Sequence, residues 1–259
     1  MGETISIITI CYNNPAELIE TCNSVNNQSE CPFEHLIIDG SNNENILNWY
    51  HSAQQPAYRR LIHEPDEGIA DAFNKGIKNA SGTIIHLLNA GDRFTDTNTL
   101  HIVKKKFEAD STLMWTHSRY IQHRGHTDVI SGLPFEKNKL WKGMRQTAHP
   151  TMFLKKELYN RYGLYNLQYK IAMDYDMLVR IRNEKFLFIH QPLVYFAPGG
   201  ASNAYFTKGL EEVRNSYSFH IGKSRKQGCW QWLQKALHLF MKTGLGKFWF
   251  RAKNKANTV

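Results

Sequence analysis

"GIADAFNKGIKNASGTIIHLLNAGDRF", Gly68 to Phe94, is the stretch whose reading decides the fold. Its first half predicts a helix, with Gly82 near the expected stop. "TIIHLL" is an apolar run with β-branched residues, of a length that suits a buried strand. The strand then gives way to a polar cluster: Asn89, the small pair Ala90-Gly91, and Asp92. A helix running straight into a buried strand is half of the repeating unit of a parallel sheet with helices on its faces. Molecules bound by such sheets lie beyond the carboxyl ends of the strands, and Asn89 and Asp92 fall there. One reading of the cluster is a turn in which Asn and Asp make local hydrogen bonds. The other is a set of oxygen ligands for a hard divalent cation, with Gly91 letting a phosphate approach closely.

The same pattern repeats outward. "ISIITICY" predicts a first buried strand. "NNPAELIETCNSVNNQ" predicts a helix, with Asn14 as its cap and Pro15 in its first turn. Leu18, Cys22 and Val25 share one face of it. "HLIIDG" predicts a second strand, ending in Asp39. Asn13, Asp39 and Asp92 therefore each stand just past the end of a strand. The middle is less regular. "TLMWTHSRYIQHRGHTDVISG" predicts a hairpin or meander around "HRGH", and "KKELYNRYG" and "DYDMLVRIRNEK" predict helices. "FLFIHQPLVYFAPGG" predicts an extended segment ending in a glycine loop.

The chain has 259 residues, is 42% hydrophobic and carries a net charge of +9. That charge is local. No acid follows Glu212, and ten of the 32 Lys and Arg fall after it, leaving 22 cations against 23 acids in the rest. A basic tail without a recognisable RNA or DNA motif does not imply nucleic-acid binding. No apolar run reaches the roughly 18 residues of a membrane span. The first residues enter a strand directly, so no signal peptide is expected. The four cysteines lack metal spacing and read as reduced thiols of a cytoplasmic protein. GxGxxG, Walker, GxSxG and HExxH patterns are all absent, which sets aside the enzyme classes built on them.

Several acidic clusters carry two readings each. Asp39 is either an Asx turn or an acceptor for a nucleobase or ribose. Glu64, Asp66, Glu67 and Asp71 either favour a helix N-terminus, or place Asp66 in a nucleotide pocket with Asp71, Asn74 and Lys75 displayed beside it. Asp174 either caps the helix it heads or takes a proton from a hydroxyl, its pKa raised by burial near Met173. His149 in "TAHPTMF" is a core or loop histidine, or a site residue. Gly199, Gly200 and Ser202 form a turn or a backbone nest for a diphosphate.

In order, "ISIITICYNN", "HLIIDGSN", "EPDEGIADAFNKGI", "LLNAGD", "HPTMFLKKELYNRYGLYN" and "AMDYDMLVRI" resemble family 2 glycosyltransferases of the GT-A fold, over about residues 4–203. The look is that of small bacterial enzymes that build capsule, O-antigen or exopolysaccharide units. The resemblance implies an α/β fold: a Rossmann-like, mostly parallel sheet with helices on both faces, plus C-terminal amphipathic helices. It implies an inverting, metal-dependent hexosyltransferase that uses a nucleotide-sugar donor, with UDP the expected nucleotide. Carried over by position, Tyr12, Asn13, Asp39, Asp66, Asp71, Lys75, Asn89, Ala90 and Gly91 would surround the donor. Asp92 would hold Mn²⁺ or Mg²⁺, and Asp174 would be the general base. His149, Asp176, Gly200 and Ser202 would face the acceptor or the diphosphate. Two departures stand out: Asn89 replaces the usual first acid of the metal motif, and Met173 replaces the usual glutamate before Asp174. The QxxRW motif and membrane helices of processive synthases are absent. The expected organisation is a catalytic domain over 1–222, with a donor half to about 110 and an acceptor half over 111–222, then a tail over 223–259.

In that tail, "CWQWLQKALHLFMKTGLGKFWFRAKNKA" predicts a basic helix with Trp230, Leu233, Leu237, Phe240 and Met241 as its apolar face, continued by Phe248, Trp249 and Phe250. Such a helix can lie in an anionic membrane interface. This suits a peripheral protein on the inner face of the bacterial plasma membrane and an acceptor carried on undecaprenyl diphosphate. The alternatives are packing of this face on the catalytic domain or on a second copy in a homodimer. Two rival functions remain open at this level. One is a nucleotide-sugar-binding protein without transferase activity. The other is a nucleotidyltransferase, although "CYNNPAE" stands where its glycine-rich signature would be.

Overall fold

Strand β1 (Ile5–Cys11) is buried on both sides because helices cover both sides. It pairs in parallel with β2 (Glu34–Asp39) and β4 (Ile84–Leu87), and β2 carries β3 (Arg59–His63), again parallel. This arrangement comes from a computed structural model, which describes residues 2–124, 127–198, 200, 204–244 and 246. Register sets Cys11 opposite Asp39, and Asp39 opposite His63. The carboxyl ends of the first strands therefore meet at one edge.

The second half of the sheet is mixed. β8 (Phe153–Lys155) runs antiparallel to both β4 and β6 (Trp115–Arg124). β6 pairs in parallel with β9 (Phe186–Phe196), which ends the sheet with β5 (Arg93–Phe94). β7 (Thr127–Ser131) folds back on β6. The order is β3-β2-β1-β4-β8-β6-β9-β5, with β7 beside β6.

Period-two alternation sends Ile8, Ile38 and Ile85 to one face, where they meet α3 (Ile69–Asn79), α5 (Lys156–Tyr162) and α6 (Met173–Arg180). Ile5, Ile7 and Ile84 face α4 (Thr99–Ala109), while Cys11 and Ile37 meet α1 (Pro15–Asn26) and α2 (Asn45–Ser52). Thus the expected α/β layering is present. Two C-terminal helices, α7 (Phe206–His220) and α8 (Arg225–Lys242), complete the described chain. No helix among the described residues is long and apolar enough to cross a membrane.

Local differences from the sequence reading have physical causes. β3 and α2 were not anticipated. β3 is an edge strand with a largely exposed or half-exposed pattern, and α2 buries only Ile46, so neither shows a strong periodic signal. Asn14 takes the N-cap position of α1, but its side chain makes no capping hydrogen bond. Its side chain accepts the Tyr12 N–H at 3.0 Å and donates to Glu17 at 2.6 Å. Gly82 is not the stop of α3, which ends at Asn79 with Ala80 extended. Gly82 instead brings backbone against β1: a Cβ there would stand 2.5 Å from Ser6 Oγ.

Candidate active site

The turn after β4 is clamped from α1. Gly91, with φ of +97°, donates its N–H to Thr21 Oγ1 at 2.9 Å, and Thr21 donates to the Asp92 carbonyl at 2.7 Å. Ala90 N–H bonds the Ile10 carbonyl at 3.1 Å, which ties the turn to β1 as well. Thr21 lies on the buried face of α1, where the sequence gives no sign of a role at the turn.

Asp92 is 2% exposed. Its Oδ1 accepts the Ala197 N–H at 2.9 Å, from the chain leaving β9. Its Oδ2, and the Oδ1 of Asn89, are buried with no hydrogen-bond partner. Burial pushes the Asp92 pKa up to about 7. Unpaired buried oxygens are costly. Two at one turn suit a cationic ligand that arrives with the substrate. Among the described residues no group of three or more His, Cys, Asp or Glu could hold a metal by itself. The residues therefore fit a cation shared with phosphate oxygens better than a closed protein site.

Asn89 connects this turn to the acceptor side. Its Nδ2 lies 3.1 Å from Nε2 of His149, on the short 3₁₀ turn His149–Thr151. The rings of Phe73 and Phe196 flank the imidazole, with centroids at 5.8 and 6.2 Å. Burial lowers the His149 pKa to about 4, so the ring is neutral near pH 7. Its Nδ1 lies 3.9 Å from Oδ2 of Asp174.

Asp174 sits in the first turn of α6 but is not the cap, which is Ala172. Its Oδ1 accepts the Tyr175 N–H at 2.7 Å. Burial raises its pKa to about 6, against the opposing effect of that N–H. A quarter of its side chain remains open to solvent, which leaves a path for a hydroxyl. The approach to α6 is fixed by Glu212 of α7. Its carboxylate accepts the N–H groups of Lys170, Ile171 and Ala172 at 3.1, 2.8 and 2.9 Å. Glu212 was not anticipated as a site residue, being about 40 residues away in sequence with no local motif.

A second group gathers at the ends of β1, β2 and β3. Asp39 is fully buried; it accepts the Ser41 N–H at 2.9 Å and meets His63 Nδ1 at 2.7 Å. Asp66 accepts the Gly68 N–H at 2.8 Å and lies against Gly40, where a Cβ would come 1.8 Å from its Oδ2. Asn13 takes a positive φ of +54°, held by its N–H to Ser41 Oγ at 2.8 Å. Tyr12 beside it is exposed.

Other anticipated residues lie outside these groups. Lys75 pairs with Asp71 on α3 at 3.4 Å and with Glu64, after β3, at 3.2 Å. Asn74 is spent on the backbone of Tyr165. Asp176 is buried among Arg180, Ser216 and His220, each at 2.9 Å, and joins α6 to α7. Gly200 is exposed, and a Cβ there would meet nothing within 4 Å among the described residues. Ser202, and Phe248, Trp249 and Phe250 of the tail, fall outside the described residues.

Comparison with known proteins gives a consistent result. Residues 6–172 match the family described as "Glycosyl transferase family 2". An uncharacterized glycosyltransferase of Mycobacterium tuberculosis, MT1564, is 28% identical over 179 residues, covering 68% of each chain. The PGL/p-HBAD biosynthesis glycosyltransferase of Mycobacterium bovis BCG is 27% identical over 188 residues, again covering 68% of each. Among solved structures, Staphylococcus aureus TarS 1–349 in complex with UDP-GlcNAc has a TM-score of 0.66 at 14% identity, covering 86% of this chain and 69% of that one. The mannosyltransferase PcManGT from Pyrobaculum calidifontis, in complex with GDP-Man and Mn²⁺, has a TM-score of 0.62 at 17% identity, covering 87% and 66%. These structural likenesses establish the GT-A fold.

Proposed function

The chain belongs to glycosyl transferase family 2, and from that premise we propose that it moves a sugar from a nucleotide-sugar donor to a hydroxyl of a glycan or glycolipid acceptor, with inversion at the anomeric carbon. The observation that carries the reading is the line from Asp92 through Asn89 and His149 to Asp174. It connects two unpaired buried oxygens, through the His149 ring, to a partly open carboxylate.

In this reading Tyr12, Asn13, Asp39 and Asp66 take the nucleoside at the strand ends, with UDP favoured. Asp92, together with Asn89 Oδ1, would hold Mn²⁺ or Mg²⁺. When bound, that cation supplies the positive charge that a departing nucleoside diphosphate needs. Asp174 accepts the proton of the acceptor hydroxyl as that oxygen attacks from the face opposite the leaving group. Its pKa of about 6 leaves it mostly ionised at neutral pH yet basic enough to work. No covalent enzyme intermediate is required. The finer reading places the donor half before about residue 110 and the acceptor half over 111–222. It takes as acceptor a lipid-linked sugar diphosphate of surface-polysaccharide assembly, at the inner face of the plasma membrane.

Incubation with a panel of nucleotide sugars, acceptor glycolipids and Mn²⁺ tests the proposal by its products. Nucleoside diphosphate with a β-linked product from an α-linked donor is expected. Pyrophosphate release would make the protein a nucleotidyltransferase. Donor binding without turnover on any acceptor would make it a binding protein.

A further inference from the structure

Helix α8 is turned inside out. Its buried residues are three glutamines, Gln227, Gln231 and Gln234. Trp232, Leu239 and Leu233 are 72%, 65% and 51% exposed, and Leu237 and Phe240 are exposed too. At 3.6 residues per turn, Trp232, Leu233 and Leu239 lie within an arc of about 120°, opposite the glutamines.

The inward face is tied down by polar contacts. Gln231 donates to the Leu210 carbonyl at 2.6 Å, and Gln234 accepts from Arg145 at 2.6 Å. Trp230, expected on the apolar face, instead turns inward and donates to the Lys142 carbonyl at 3.1 Å. Among the described residues, Trp232, Leu233, Leu237 and Leu239 are therefore not packed on the catalytic domain. A soluble surface helix shows the reverse pattern, so the exposed Trp232, Leu233, Leu237 and Leu239 suit an apolar partner.

We infer that the outward face of α8 lies in the interface of an anionic membrane. The charge on the helix selects this partner. Arg225, Lys226, Lys235 and Lys242 are exposed, and α8 contains no acid. Cations flanking a Trp and Leu face complement anionic lipid headgroups, whereas two copies of so basic a helix repel across a dimer contact. The inference deepens the acceptor reading above by naming the surface that meets the lipid, and its support is the burial pattern of α8.

The test is flotation of the full chain with vesicles of phosphatidylcholine, alone or mixed in equal parts with phosphatidylglycerol. The wild type is expected to float with the mixed vesicles and about ten-fold less with phosphatidylcholine alone. Replacing Trp232, Leu233, Leu237 and Leu239 together by Ser is expected to cut binding about ten-fold or more, with the melting temperature unchanged. Lys235→Glu with Lys242→Glu should reduce binding to the level of neutral vesicles. Absence of wild-type flotation, or equal flotation of the Ser variant, overturns the inference. So does a wild-type dimer that the Ser substitutions dissociate, since the face would then belong to a second copy. Stabilisation by UDP with Mn²⁺, read on the same proteins, reports the donor site separately. Its loss would count against the transferase reading and leave the flotation result standing.

Discussion

Asn89 donates to Nε2 of His149 at 3.1 Å, and this bond dictates where the imidazole carries its proton. An amide nitrogen only donates, so Nε2 accepts and the proton of the neutral ring sits on Nδ1. Nδ1 faces Asp174 at 3.9 Å. The amide at position 89 thus has a consequence at the opposite side of the site: it turns a donor toward the base.

An aspartate at position 89 reverses the arrangement. Asn89→Asp is expected to draw the proton to Nε2 and to present a lone pair to Asp174. Nitrogen-15 NMR of the imidazole reads the tautomer directly: Nδ1–H in the wild type, Nε2–H in the variant. An Nε2–H wild type contradicts the assignment.

Asp174→Asn should lower turnover by about 10² to 10⁴-fold while donor binding persists. The same change should stabilise the fold. A carboxylate whose folded pKa is raised to about 6 binds its proton more tightly in the folded state. Its ionisation therefore costs stability as pH rises from about 4, the unfolded value, to about 6. The variant should be more stable than wild type by on the order of 1–3 kcal/mol above pH 6, with no difference below about pH 4. Thermal melts across that range check it.

The pH dependence of turnover follows from the same group. The rate should rise with pH through about 6 as Asp174 ionises, then level off. A rate that is flat between pH 5 and pH 7 would assign the proton to another group.

Gly40→Ala tests the nucleoside end. The new methyl would stand 1.8 Å from Asp66 Oδ2, so the carboxylate must swing away. Weaker stabilisation by UDP is expected, with KM for the donor raised about ten-fold and kcat changed less.

Glu212→Gln tests the support of α6. A carboxylate that accepts three backbone N–H groups becomes an amide with a donor aimed at donors. The loss should be about 1–3 kcal/mol in stability, with kcat falling more than donor affinity.

The parts that the sequence declared were those whose chemistry repeats locally. "ISIITIC" and "HLIID" are buried on both faces and show it as short runs dominated by β-branched and other apolar residues. The placement of Asn89 and Asp92 beyond the end of β4 followed from that pattern. β3 and α2 stayed hidden because an edge strand and a short surface helix bury too little to be periodic. Thr21 and Glu212 stayed hidden because each acts on backbone far away in sequence. In α8 the composition announced an apolar, basic helix, but only the fold reveals that glutamines face inward and Trp232 outward.

The most direct test of the account is stabilisation by UDP-sugars with Mn²⁺, measured side by side for wild type, Asp92→Ala and Asp174→Asn. The account predicts that a donor raises the melting temperature of wild type and Asp174→Asn, that Asp92→Ala or EDTA removes the shift, and that only wild type turns over. A donor that stabilises Asp92→Ala as much as wild type, with or without metal, would contradict it.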